Sequence, residues 1–183
     1  MAFNSGGSAG GAVFLQASNI TFNAAATMTD NKLVTCNDLV WTSGACPGGG
    51  AIFAIASNIT HNAAAVYRNN TAADCNGGAL SLTSGSVCLH ADHSDMTPEC
   101  IQPSRFEATQ LITFKGNSVS MKWQSAVAGG AAFLQYSFAT FIRGASFVGN
   151  AAPPEGRGCG VGSILHEWAT RLHVGNGAGS IAA

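Results

Sequence analysis

The densest group of chemistry-bearing side chains lies between Cys88 and Cys100, where His90, Asp92, His93 and Asp95 fall close together. Imidazoles and carboxylates so grouped can ligate a divalent cation. A solvated loop closed by a Cys88–Cys100 disulfide accounts for the same residues. No complementary ligands stand elsewhere in the chain, so no metal is favoured and no cofactor is expected. Cys36 and Cys46 are a second pair close in sequence, and neither pair has the short CxxC spacing of zinc sites. Six cysteines point to an oxidising compartment. A Cys46–Cys75 bridge between neighbouring repeats competes with Cys36–Cys46, and spacing leaves the pairing open.

Other catalytic chemistries fit less well. Polysaccharide cleavage needs carboxylates gathered on one face, to bind calcium or to act as acid and base. The chain has nine acidic residues, and Asp30, Asp74, Glu107, Glu155 and Glu167 fall at different repeat positions. Ser, His and Asp are present without a GxSxG elbow. The glycines of GGGAIFA near Gly48 lack nucleotide-binding GxGxxG spacing. His61 takes the place that Phe22 and Phe141 hold in sister segments, which reads as a core or half-buried histidine with a backbone partner rather than a catalyst. Phe14, Phe53 and Phe133 share one repeat position. With Val13 and Leu15 inside, they face outward as an apolar strip suited to binding, unless a loop or neighbouring domain covers them.

Composition narrows the classes further. The 183 residues are 46% apolar and 9% charged, with 23 glycines, which is the reverse of a disordered chain. A net charge of −1 provides no footprint for nucleic acid. No apolar run approaches the ~18 residues of a transmembrane helix. The opening MAFNSGGSAGG has no basic region or apolar core, and does not read as a signal peptide. Asn19-Ile-Thr, Asn58-Ile-Thr and Asn69-Asn-Thr match the N-glycosylation triplet, which is common by chance.

The elements that must position these residues are repeats. GGAVFLQASNITFNAAATMTDNKL from Gly10 aligns without a gap to GGAIFAIASNITHNAAAVYRNNTA from Gly49, and GGAAFLQYSFATFIRGASFVGNAA from Gly129 shares their frame. GGALSLTSGSVCLH from Gly77 opens a further unit that closes with ITFKGNSV, and VGSILHEWATRLHVGNGAG from Val161 is a degenerate one. Each unit opens on a glycine pair (Gly10–Gly11, Gly49–Gly50, Gly77–Gly78, Gly129–Gly130) or its degenerate equivalent. Each closes on an aromatic or apolar residue, or histidine, three positions before an Asn: Asn31, Asn70, Asn117, Asn150 or Asn176.

The shortest interval between unit starts, from Gly49 to Gly77, suits one solenoid coil of three short strands and three turns. Longer intervals imply insertions near residues 33–47 and 90–110. Period-2 alternation places Ile52 and Ala54, Leu80 and Leu82, and Ala132 and Leu134 inside the first strand, with Ile20 and Phe22, Ile59 and His61, and Ala139 and Phe141 inside the second. The paired glycines suit a tight turn or close approach of the next coil, and the aligned Asn residues an internal amide ladder. The expectation is an all-β parallel β-helix over residues 1–183, with about five to six coils and two insertion loops.

GGA(I/V/L) followed by FxxN resembles the repeats of the chlamydial polymorphic outer-membrane proteins. Phe114-Lys-Gly-Asn117 and Phe147-Val-Gly-Asn150 match FxxN fully, while Met28, Tyr67 and His173 relax its first position. The resemblance implies a right-handed, pectin-lyase-like β-helix displayed outside the cell, in the outer membrane if the source is bacterial, and acting in adhesion. Met1-Ala-Phe-Asn4 reads as the close of an earlier coil and Ala178-Gly-Ser-Ile181 as the opening of a later one, so further coils of a longer parent chain are expected neighbours.

The function expected is therefore a non-catalytic structural or adhesive segment that presents its loops and one outer face to a protein or glycan. A pectin-lyase-type enzyme fragment is the second reading. An ice- or crystal-binding solenoid is the third; Thr21, Thr60 and Thr140 provide it only a broken column.

Overall fold

The computed structural model describes residues 4–6, 10–34, 48–86, 101–120, 129–152, 164–167 and 171–174. Four parallel sheets run along a solenoid, and each coil adds one strand to each sheet in turn. The first sheet stacks Val13–Gln16, Ile52–Ile55, Leu80–Thr83, Ala132–Gln135 and Ile164–Glu167. The second stacks Asn19–Phe22, Asn58–His61, Arg105–Ala108, Phe138–Phe141 and Arg171–Val174. Ala26–Thr29, Ala65–Arg68, Ile112–Lys115 and Ala145–Val148 make the third. The described residues thus carry about four coils through the third sheet, and strands of the first and second sheets extend one coil further.

Three strands per coil proves one too few. A short fourth sheet joins Ser5–Gly6, Lys32–Leu33, Thr71–Ala73 and Ser118–Ser120, with Ala151 bridged to Ser118. Its inward side chains form a satellite core of Leu33, Ala72, Cys75 and Val119. Leu33, placed in the first insertion by its sequence, belongs to this sheet.

Strand register locates the insertions. Between the first two coils the offset is the same in all four sheets, from Val13↔Ile52 through Asn19↔Asn58 and Ala26↔Ala65 to Lys32↔Thr71. Between the second coil and the third it is not. Ile52 pairs with Leu80 in the first sheet, but Asn58 pairs with Arg105 in the second. The chain between Thr83 and Arg105 therefore holds an insertion. A two-residue antiparallel pair, Gly85–Ser86 with Ile101–Gln102, stands within it. The insertion ends before Arg105 rather than near residue 110. Arg105–Ala108 is the second strand of its coil, with Phe106 and Ala108 buried in line with Ile59 and His61.

The interior follows the expected alternation. Ile52, Ala54, Leu80, Leu82, Ala132 and Leu134 from the first sheet meet Ile59, Phe106, Ala139 and Phe141 from the second. Val13, Leu15, Ile20 and Phe22 of the first coil are partly buried against them. The first residue of each FxxN motif contributes the third wall. Tyr67 and Phe114 stack with centroids 4.9 Å apart, as do Phe114 and Phe147. Buried rings of this size each supply a few kcal/mol of apolar stabilisation, about 1.5–3.

The rest of the motif sets the corner. The residue before each Asn lies in the left-handed region: Asp30 (φ 54°), Asn69 (53°), Gly116 (63°) and Gly149 (59°). These are the residue types that tolerate it best. The Asn then turns inward onto its counterparts. Asn31 Nδ2 donates to Asn70 Oδ1, Asn70 Nδ2 to Asn117 Oδ1, and Asn117 Nδ2 to Asn150 Oδ1, each at 2.9 Å. The backbone N–H of Asn31, Asn70 and Asn117 donates to the same acceptors at 3.0–3.1 Å. The second amide proton reaches back one coil to the aromatic position: Asn70 to Met28 O, Asn117 to Tyr67 O and Asn150 to Phe114 O, all at 3.0 Å. Asn4 extends the ladder onto Asn31, and Asn176 lies outside the described residues.

The glycine pairs serve a different contact. At Gly50 an added Cβ would overlap the Gly78 carbonyl of the next coil and the Thr71 backbone of the fourth sheet, and Gly78 stands the same way against Gly130 and Ser118. Gly11 and Gly130 repeat this at the neighbouring coils, so close approach fixes the second glycine. At the first, Gly77 (φ 81°) and Gly129 (φ 73°) use the left-handed region, while Cβ atoms at Gly10 and Gly49 would overlap the carbonyl three residues on.

Substituting Asn117 tests the ladder. Asn117→Leu keeps the branched shape but leaves Asn70 Nδ2 and the Asn70 N–H without their acceptor, and takes one donor each from Tyr67 O and Asn150 Oδ1. With two buried donors orphaned at roughly 1–3 kcal/mol each, urea unfolding is expected to show about 2–6 kcal/mol lost. Asn117→Asp, which accepts but cannot donate, is expected to be nearly as damaging.

Candidate functional site

Between the first and second sheets a second polar row lines the corner. The Ser18 N–H donates to Ser57 Oγ, and the Ser57 N–H to Ser104 Oγ, both at 3.1 Å. Their hydroxyls donate to corner carbonyls: Ser18 to Gln16 O, Ser57 to Ile55 O, Ser104 to Thr83 O, and likewise Ser137 to Gln135 O. The preceding residue is left-handed at Ala17, Ala56 and Tyr136. The sequence shows this row only in part: Ser18, Ser57 and Ser137 stand eight residues after Gly10, Gly49 and Gly129, while the insertion displaces Ser104 from that spacing. Its hydroxyls are bound into the turn, so none is an activated nucleophile.

The polar pair inside the core is His61 with Tyr67. His61 Nε2 and Tyr67 Oη lie 2.8 Å apart, and both residues are fully buried. The imidazole stacks on Phe22 at 4.5 Å and tilts against Phe106 at 5.4 Å. Its partner is thus a side-chain hydroxyl rather than backbone, and Nδ1 has no hydrogen-bond partner. Burial lowers the His61 pKa from 6.5 to about 4 and raises the Tyr67 phenol above its ordinary range. The histidine is a neutral core residue at pH 7, far from any solvent a substrate would occupy.

The phenylalanine strip is not an open face. Phe14 is 47% exposed and stacks on Phe53 at 5.5 Å, but Phe53 is 4% exposed and Phe133 1%. They point outward from the first sheet and are nonetheless buried, so the chain itself covers this face in its middle coils. Ser81, between them in register, is buried too.

The outer faces of the second and third sheets are more open. Exposed amides form short ladders there: Asn58 donates to Asn19 Oδ1 at 2.8 Å and Asn62 to Asn23 Oδ1 at 2.7 Å. The threonine column runs Thr21, Thr60, Glu107, Thr140, so a carboxylate interrupts it. On the third sheet Thr29, Arg68 and Lys115 share a lateral row.

Among the described residues, no three His, Cys, Asp or Glu side chains converge to hold a metal ion. Asp30, Asp74 and Glu107 stand at a corner, at a turn and on the second sheet respectively, and do not form an acid–base pair. His90, Asp92, His93 and Asp95, and the cysteines Cys36, Cys46, Cys88 and Cys100, lie outside the described residues. Cys75 is buried and disulfide-bonded. No helix among the described residues is long and apolar enough to cross a membrane. Comparison with known protein families, with curated proteins and with solved structures finds no match.

The His61–Tyr67 pair predicts a pH dependence. The unfolded chain protonates this histidine near pH 6.5 and the folded chain only near 4. In that window the unfolded state binds more protons, so stability is full above 6.5 and falls as pH drops towards 4, by roughly 3 kcal/mol in all. His61→Phe/Tyr67→Phe copies the Phe141–Phe147 pair of the fourth coil. Urea midpoints at pH 7 and 4.5 are expected to differ more in the native protein than in the double variant. Parallel losses would assign the acid sensitivity to carboxylates.

Proposed function

We propose that this chain is a non-catalytic structural and adhesive β-helix segment of a secreted or cell-surface protein. In this reading it is of the chlamydial outer-membrane repeat type, right-handed and pectin-lyase-like, and it presents outer faces and turn insertions to a protein or glycan. One observation carries the reading. The residues that recur from coil to coil are spent on the interior, whereas the outward positions change. The amide ladder, the aromatic stack and the glycine pairs all serve coil-to-coil contact. On the third sheet the outward rows run Thr27, Val66, Thr113, Ser146 and Thr29, Arg68, Lys115, Val148. A constant scaffold with a variable exterior suits recognition over a wide surface, as solenoids use it.

The test compares retention with turnover. Beads coated with the folded chain are expected to be held by cell surfaces or by immobilised glycans and proteins, saturably and in competition with free chain. Incubation with pectin and related polysaccharides is expected to release no oligosaccharides. Release of unsaturated products would replace this reading with the enzyme one, and absence of retention on every surface would remove it.

A further inference from the structure

Three hydrogen-bond donors from successive coils stand in one lateral row on the outer face of the third sheet: Thr29, Arg68 and Lys115 are register partners. At about 4.8 Å per strand the row spans roughly 10 Å. Arg68 and Lys115 are exposed and directly opposite one another, an arrangement in which like charges repel. Among the described residues, neither has an ion-pair partner. Thr29 is different: it is 7% exposed and its Oγ1 is buried, so the hydroxyl is out of reach of a ligand on this face. Val148 ends the row in the fourth coil. The acidic side chain closest along the chain, Asp30, belongs to the corner past the strand end.

We propose that the Arg68–Lys115 pair of this row binds the carboxylate or sulfate groups of an acidic polysaccharide. The proposal rests on the adhesive reading and names its ligand class. A planar guanidinium offers a bidentate fork to such a group and the ammonium a point charge. An anion held between them converts a repulsive pair into two attractive contacts. Val66, 36% exposed, and the half-buried Thr113 and Ser146 lie on the same outer face, where a sugar ring can rest. An anionic bilayer is a poorer fit, because recognition of that kind takes clusters of about four to eight basic residues. Nucleic acid likewise calls for a basic domain, and this chain carries a net charge of −1.

The experiment titrates the folded chain with heparin oligosaccharides and with oligogalacturonate, and, as a separate arm, with phosphatidylcholine/phosphatidylserine vesicles. Saturable, salt-sensitive binding to at least one of the two glycans is expected. Arg68→Gln/Lys115→Gln is expected to weaken it at least about tenfold, with an unchanged or raised thermal midpoint because the repulsion is gone. Lys32→Gln, an exposed cation on the fourth sheet, is expected to leave binding unchanged. Absence of glycan binding, an equal loss in Lys32→Gln, or vesicle binding matching that to the glycans would overturn the assignment. Surface retention of the coated beads that survives Arg68→Gln/Lys115→Gln sinks this inference while leaving the adhesive reading in place.

Discussion

A primary amide offers two donor hydrogens and one acceptor oxygen with two lone pairs, and at Asn70 and Asn117 all of that capacity is used. At Asn70 the carbonyl accepts from the backbone and side chain of Asn31, while the amide donates to Asn117 and to the Met28 carbonyl. Asn117 repeats the pattern one coil on. Everything else in the fold is aligned by this. A slip of one residue would turn the amide outward and leave buried donors unmatched. It would also carry Tyr67, Phe114 and Phe147 out of the stack that closes the third wall. The glycine pairs then follow as a steric consequence, because coils held in that register bring the backbones of Gly50 and Gly78 too close for a side chain.

Legibility in the sequence tracks this constraint. The ladder, the stack and the close approach each demand particular residue types at fixed offsets. The Gly-Gly-Ala and FxxN template was therefore readable, and the inward positions of two strands with it. The fourth strand was not, because segments as short as Lys32–Leu33 are too brief for alternation to register. Arg105–Ala108 was lost inside an insertion because the displaced strand no longer kept the unit's spacing, although Phe106 and Ala108 alternate as Ile59 and His61 do. Three serines of the row share one place in the alignment but lack a bulky or unusual residue type, and the insertion displaces the fourth, Ser104. Burial of Phe53 and Phe133 could not be read, since local alternation says which way a ring points and not what lies over it.

The same logic separates scaffold from surface. Interior positions answer to their neighbours above and below, so a departure such as His61 is matched by another, Tyr67, that supplies its hydrogen bond. Outward positions on the second and third sheets carry no such obligation, and there polar and charged residues change from coil to coil. A fold of this kind holds a wide, rigid surface whose chemistry can vary without loss of the stack.

The most direct test of the account is a trans-hydrogen-bond scalar coupling experiment on uniformly labelled protein. It reads whether each asparagine side-chain nitrogen is bonded to the amide carbonyl one coil on. The account predicts couplings in series from Asn31 to Asn70, Asn70 to Asn117 and Asn117 to Asn150, through amide protons that exchange slowly. Couplings between other partners, or side-chain amides that exchange freely with solvent, would contradict it.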